Sequence, residues 1–270
     1  MRAFYASLIL GLAATVHGDL IITRSGTQSG IVEKVTAAGV QFKVGENEFT
    51  TPLIDIVRAD VPKPATVESN LVALRAGKLQ DALAGYRQIV DRYAGLPVGW
   101  IEDSMVKLGE TQIALKDFAG AKRTFETFKQ RYPKSGLLGI VDSKNARILF
   151  EQGQAEPALA AIQPVVDGLL KKEFLNEDQE TALADGLILI GDCQAAAGKK
   201  DDALDSYLKV VTLFDVNDER TVEGKYKAGK LLEAKGNWRR AKQTYEELLK
   251  EGPGAAITDD IKKRLAAHPE

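Results

Sequence analysis

Residues 108–135 read LGETQIALKDFAGAKRTFETFKQRYPKS. Ala121, Phe125 and Phe128 stand at offsets of zero, four and seven, which places them on one face of a helix. The small Ala121 sits where a second helix must come close. Lys116, five residues before the anchor, falls where the preceding helix has to turn. Gly109, twelve residues before, gives that earlier helix a small contact residue, and Pro133 stops the second helix. The stretch therefore reads as two antiparallel helices joined by a tight turn.

The pattern recurs along the chain. With Ala82, Ala121, Ala158, Ala203 and Ala241 as anchors, Tyr86, Phe125, Ile162, Tyr207 and Tyr245 follow four residues later. Ile89, Phe128, Val165, Val210 and Leu248 follow at seven. Gly77, Lys116, Gly153, Gly198 and Gly236 precede the anchors by five, at the expected turns. Asn70, Gly109, Ala146, Gly191 and Gly229 precede them by twelve, in the first helix of each unit. Self-similarity at such a period signals stacked helical hairpins.

These residues resemble the tetratricopeptide repeat, whose marks are a Leu-Gly pair in the first helix, Ala then an aromatic in the second, and a closing Pro. The second copy carries Leu108, Gly109, Ala121, Phe125 and Pro133; the last carries Gly229, Ala241, Tyr245 and Pro253. The fourth has Gly191, Ala203 and Tyr207 but no Pro. Anchor spacings of 39, 37, 45 and 38 residues exceed the 34 of the standard unit, most of all around Lys171 to Thr181. Stretched units of this kind resemble those of exported bacterial envelope proteins. In the third copy Pro164 falls inside the second helix and is expected to kink it. Thr258, Asp259 and Asp260 are read as the N-cap and acidic first turn of a polar helix covering the end of the array. The fold class expected is mainly α: a solenoid of about five tetratricopeptide-like hairpins over residues 63–270 with a C-terminal capping helix.

Upstream the period changes. Residues 19–62 are rich in β-branched side chains and punctuated by glycine, and Val40, Phe42 and Val44 alternate with Gln41 and Lys43. Three or four short strands joined by turns, SGTQSG among them, are expected to form a small β-barrel-like module. It resembles SH3-like and Sm-like barrels, and its core is marginal unless it packs on something else. Val61-Pro62-Lys63-Pro64 breaks both strand and helix, which puts the boundary there. Before it, Arg2 precedes an apolar stretch from Ala3 to Val16 that is too short to span a bilayer, so residues 1–18 read as a signal peptide. Cleavage is expected near Gly18/Asp19, giving a periplasmic or secreted protein without a membrane span.

Composition excludes several chemistries. The 270 residues hold 36 Lys and Arg against 38 Asp and Glu, so no basic field exists for a nucleic acid. The two histidines are His17, in the leader, and His268, near the C-terminus; no imidazole is at hand for a general base or a metal ligand. A single cysteine, Cys193, forms neither an internal disulfide nor a zinc cage. Gly224 to Lys230, GKYKAGK, imitates a phosphate loop but lacks the following Ser or Thr and the preceding strand. Asp201 and Asp202 fit a helix start better than an acid–base pair. Trp100 and Trp238 read as packing anchors. No catalytic residue, metal or cofactor is expected.

What remains is a surface. The resemblance implies that the first helices line a concave groove for a peptide or partner helix, here Glu110, Ile113, Arg147, Phe150, Ile188, Asp192, Tyr226 and Lys230. Val67, Leu71, Val106, Glu110, Ser143 and Arg147 stand where some relatives carry the Lys and Asn clamp for a C-terminal carboxylate, so that mode is not implied. Arg147, Lys230, Glu110 and Asp192 are expected to orient the partner without holding up the fold. The function expected is an exported, non-enzymatic scaffold binding another envelope protein. The alternative is a carrier of a small ligand, such as a peptidoglycan fragment, held in an apolar pocket between the β module and the first repeats.

Overall fold

A computed structural model of the chain describes residues 18–214 and 219–268. The expected leader therefore lies outside the described residues except for Gly18. Five strands come first: β1 Asp19–Thr23, β2 Gly26–Thr36, β3 Gly39–Val44, β4 Asn47–Thr51 and β5 Ile56–Asp60, with a single 3-10 turn at Leu53–Asp55. They form one antiparallel sheet in the order β4-β3-β2-β1-β5. All of the glycine-rich SGTQSG segment but its first residue is strand: Thr23 pairs with Gly26, so only Arg24 and Ser25 make the bend. Gly30 is required there because a Cβ would stand 2.1 Å from the Lys43 carbonyl oxygen of the adjacent strand. The alternation in β3 buries Val40 and Phe42, whereas Val44 lies at the open margin and stays exposed.

Eleven helices follow among the described residues: α1 Ala65–Arg75, α2 Leu79–Tyr93, α3 Gly99–Ala114, α4 Phe118–Arg131, α5 Leu138–Glu151, α6 Ala155–Leu170, α7 Glu177–Ala196, α8 Lys200–Leu213, α9 Glu219–Ala234, α10 Trp238–Glu251 and α11 Ala255–Ala267. They pair as five hairpins, α1/α2 through α9/α10, with α11 packed on α10. The five anchor alanines are all 0% exposed, as the repeat demands. In the second, fourth and fifth hairpins the small residue of the first helix admits an aromatic ring of the second. A Cβ on Gly109 would stand 2.3 Å from Phe125, on Gly191 2.4 Å from Tyr207, and on Gly229 2.6 Å from Tyr245. In the first hairpin the exchange is reversed, since Gly85 of α2 makes room for the Asn70 side chain.

The turns share one geometry. Gly77, Gly153, Gly198 and Gly236 have φ between 72° and 78°, and the same position in the second hairpin is Lys116 with φ 60°. The next amide then reaches back five residues, as Asp117 does to the Gln112 carbonyl at 2.8 Å, which closes a Schellman motif. Asp117 and Asn237 cap the helices that follow, accepting from the Gly120 and Arg240 amides. The extra length near residue 171 goes partly into a connection and partly into α7, which has 20 residues and starts at an Asn176–Gln179 capping box.

Two expectations need correction. In α6 the buried stripe runs Ala158, Ile162, Val166, Leu169, so it steps past the expected Val165, which is only partly buried. Offsets of 0, 4, 8 and 11 share one face of a regular helix, and α6 runs unbroken through Pro164, which has no N–H for the Ala160 carbonyl. Thr258 is not a cap either: α11 begins three residues earlier, with Gly254 at φ 84° in the cap position.

The sequence boundary at Val61–Pro64 is not a boundary in the packing. Ile21, Val32, Val35, Val40 and Phe42 of the sheet share one apolar core with Tyr86, Ile89, Tyr93, Leu96 and Ile101 of the first hairpins. Polar ties cross the same seam. Arg92 donates from Nε and Nη2 to the Val32 carbonyl at 2.9 and 2.7 Å, and Trp100 Nε1 donates to the Val61 carbonyl at 2.8 Å. Trp100 also meets Tyr93 edge-on at 5.4 Å, so it is a packing residue.

Candidate functional site

Residues of α3, α5, α7 and α9 line two adjoining clefts. The first, of about 370 Å³, has Ser143, Lys144, Arg147 and Glu151 from α5, Asp185, Ile188 and Leu189 from α7, and Glu223 and Lys227 from α9. The second, of about 360 Å³, adds Lys107, Glu110, Ile113 and Ala114 from α3, and Glu219 and Arg220 from α9. Helices three hairpins apart can share a cleft only on the inside of a curved array. This is the concave groove, and it is built from first helices as the repeat resemblance implies.

Its charges are arranged by helix. Among the paired groups α5 supplies cations, α7 anions and α9 cations, so Asp185 and Asp192 of α7 are each held from both sides. Lys144 Nζ lies 2.9 Å from both Glu110 and Asp185, and Arg220 Nε donates to Asp185 Oδ1 at 2.9 Å. Seven residues further along α7, Asp192 accepts from Arg147 Nη1 at 2.5 Å, Lys227 Nζ at 2.8 Å and the Tyr207 hydroxyl at 2.8 Å. Lys107 completes the row by donating to Glu110 at 2.8 Å.

Burial raises the carboxyls of Glu110, Asp185 and Asp192, but their paired cations outweigh it and hold all three below the ordinary carboxylate range. Burial pulls Lys144 down, and the Asp185 and Glu110 carboxylates more than reverse it, so its ammonium is held well above the usual lysine range. Burial, with Asp192 accepting its hydroxyl proton, pushes the Tyr207 phenol up and keeps it a donor.

Four of the eight residues expected in the groove, Glu110, Ile113, Arg147 and Ile188, line the two clefts. Asp192 lies beneath Arg147, only 7% exposed. The Phe150 ring stacks 5.5 Å from the Arg147 guanidinium. Tyr226 and Lys230 line neither of these two clefts. Tyr226 donates to Asp260 of the terminal helix at 2.6 Å, and Lys230 lies 5.3 Å from the Tyr226 ring. Glu110, Arg147 and Asp192 are also ion-paired between successive hairpins, Glu110 with Lys144 and Arg147 with Asp192.

Lys144, Asp185, Glu223 and Lys227 were not among the residues expected. A signal existed: Lys107, Lys144 and Lys227 each stand two residues before the small residue of a first helix, while Asp185 and Glu223 stand six before theirs. These positions lie one and two turns from the +1 position on the same face.

Other candidates are inert. Gly224 to Lys230 is interior to α9, so no loop exists to cradle a phosphate. Cys193 is buried in α7, and burial pushes its thiol up to about 11. Among the described residues no group of His, Cys, Asp and Glu is placed to hold a metal, and no helix is long and apolar enough to cross a membrane.

Hairpins, turn geometry, anchors and groove together define a helical-repeat solenoid. A sequence model of the tetratricopeptide repeat matches residues 103–135 and 223–254, the second and fifth hairpins. Among solved structures, the Rap conjugation gene regulator of plasmid pLS20, in complex with the Phr peptide, aligns with a TM-score of 0.59 at 12% identity, over 69% of this chain and 52% of that one. A Rap protein complexed with competence and sporulation factor gives 0.59 at 14%, over 72% and 54%. The APC/C hetero-tetramer gives 0.53 at 15%, over 74% and 35%. The chain thus spans about half the length of the Rap proteins, and at these identities the likeness is one of fold. No curated protein sequence matches the chain.

Proposed function

We propose that the protein is an exported, non-enzymatic adaptor that holds a segment of another cell-envelope protein in the groove between α3 and α9. The observation that carries this reading is the pair of adjoining clefts on the concave face, lined by polar side chains from four hairpins. A surface of that length suits an extended segment better than a compact metabolite. Both Rap structures with this fold were solved with a peptide or factor bound, which supports a peptide as the occupant. The short apolar leader supports export.

The strand order β4-β3-β2-β1-β5, with the 3-10 turn before β5, is in keeping with a small SH3-like barrel. Docked on α2, that module closes the first end of the solenoid, as α11 covers the other.

Filling the groove tests the reading. Ala114→Trp places an indole in the second cleft and should abolish capture of the native partner from envelope extract, while Lys122→Glu on the outer helix α4 should leave capture intact. Loss with Lys122→Glu and retention with Ala114→Trp overturns the groove assignment. Export is read separately, from the mature N-terminus: Asp19, or a residue within one or two of it, is expected, and intact Met1 in exported material overturns it.

A further inference from the structure

Cations in the two clefts are all committed. Lys107 is held by Glu110, Lys144 by Glu110 and Asp185, Arg147 by Asp192, Arg220 by Asp185, and Lys227 by Asp192. Anions are left over. Glu151 and Glu219 have no cation within ion-pair distance among the described residues, and Glu223 has only a 3.5 Å contact with Lys227, which Asp192 already holds at 2.8 Å. Glu223 is also the shared wall of the surface. It lines both clefts and, with Glu219, a third of about 460 Å³ beside Val222, Pro253 and Ile257.

We propose that the partner segment taken by this groove is basic, and that a lysine or arginine side chain enters the first cleft between the walls bearing Glu151 and Glu223. This rests on the groove reading above and specifies its occupant. An acidic segment would find no uncommitted cation and would have to break a buried pair, leaving an unpaired carboxylate behind. A neutral apolar helix would find little apolar wall, since most of the lining side chains are charged. A lysine or arginine fits both parts of the cleft, laying its aliphatic stem over the floor of Ile188 and Leu189 while its charged head stays at the carboxylates.

The test uses three labelled nine-residue peptides as probes: alternating Lys-Ala, alternating Glu-Ala and a Gly-Ser control, each titrated by fluorescence anisotropy onto the whole protein. The Lys-Ala peptide should bind, and binding should weaken at least tenfold between about 50 and 300 mM salt. Glu151→Gln/Glu223→Gln should weaken it about tenfold, Glu126→Gln on the outer face should leave it unchanged, and Ala114→Trp should abolish it. If the Glu-Ala or Gly-Ser peptide binds best and Ala114→Trp abolishes that binding, the groove reading stands and the basic-segment proposal falls. If Lys-Ala binding survives Ala114→Trp, or is untouched by Glu151→Gln/Glu223→Gln, the proposal falls because the charge is read elsewhere. Absence of binding by every peptide also overturns it.

Discussion

Lys116 is the one non-glycine residue with positive φ among the described residues, and it occupies the turn position that glycine fills in the other four hairpins. A side chain in the left-handed region costs about 1–2 kcal/mol, partly offset by the greater freedom glycine has when unfolded. Lys116→Gly should therefore raise stability by about 0.5–1 kcal/mol in urea melts; an unchanged or lower midpoint would mean that the turn is not strained. Glycine has the opposite meaning inside the helices. Gly109→Ala improves helix propensity but drives a methyl into the Phe125 ring and should cost about 1–3 kcal/mol. Gly168 of α6 has open space around it, so Gly168→Ala should stabilise by about 0.5–1 kcal/mol. Two identical substitutions with opposite signs test the packing directly, and equal shifts would contradict it.

The first helices are tied together by charge, and Asp192 is the centre of one tie. Asp192→Asn leaves Arg147 and Lys227 without their carboxylate in a largely buried setting and should cost about 3 kcal/mol. Asp201, paired with Lys235, is 86% exposed, so Asp201→Asn should change stability by less than about 0.5 kcal/mol. Comparable losses for the two variants would show that the groove pairs contribute no more than surface ones. The same geometry sets a pH dependence. Because Glu110, Asp185 and Asp192 titrate lower when folded than when unfolded, their contribution is complete above the ordinary carboxylate range of about 4. It is lost as the pH falls through the depressed folded values. The wild-type midpoint should drop below about pH 4, and Asp192→Asn should flatten that drop; an equally steep drop in the variant would assign acid lability to other carboxylates.

Over the whole molecule the sheet and the solenoid fold as one body, since the core around Val32 and Phe42 continues into Tyr86 and Ile101. A chain beginning at Lys63 would expose Tyr86, Ile89, Tyr93 and Leu96 to water, an apolar surface larger than a soluble monomer keeps. Such a truncation should aggregate or melt well below the full protein. A truncated chain that stays monomeric with an unchanged midpoint would show that the sheet is an independent passenger.

Sequence by itself determined the repeats. A small residue, an aromatic and a glycine turn at fixed offsets are local demands of one helical hairpin, so five hairpins and a closing helix could be read from spacing alone. It also determined where strand gives way to helix, because Pro62 and Pro64 act on their own backbone. Only the tertiary structure decided the groove. Which side chain faces which depends on how successive hairpins are rotated against each other, a quantity carried by interhelical packing and not by any one helix. That is why Arg147 and Asp192 were legible as groove positions while their mutual pairing, the place of Lys144 between two carboxylates, and the departure of Tyr226 toward Asp260 were not. The fifth strand and the full length of β2 were missed for a related reason: residues 47–60 read as one strand until Leu53–Asp55 is seen to turn between β4 and β5, and Gly30 reads as a turn until the neighbouring strand shows that it makes room for a backbone.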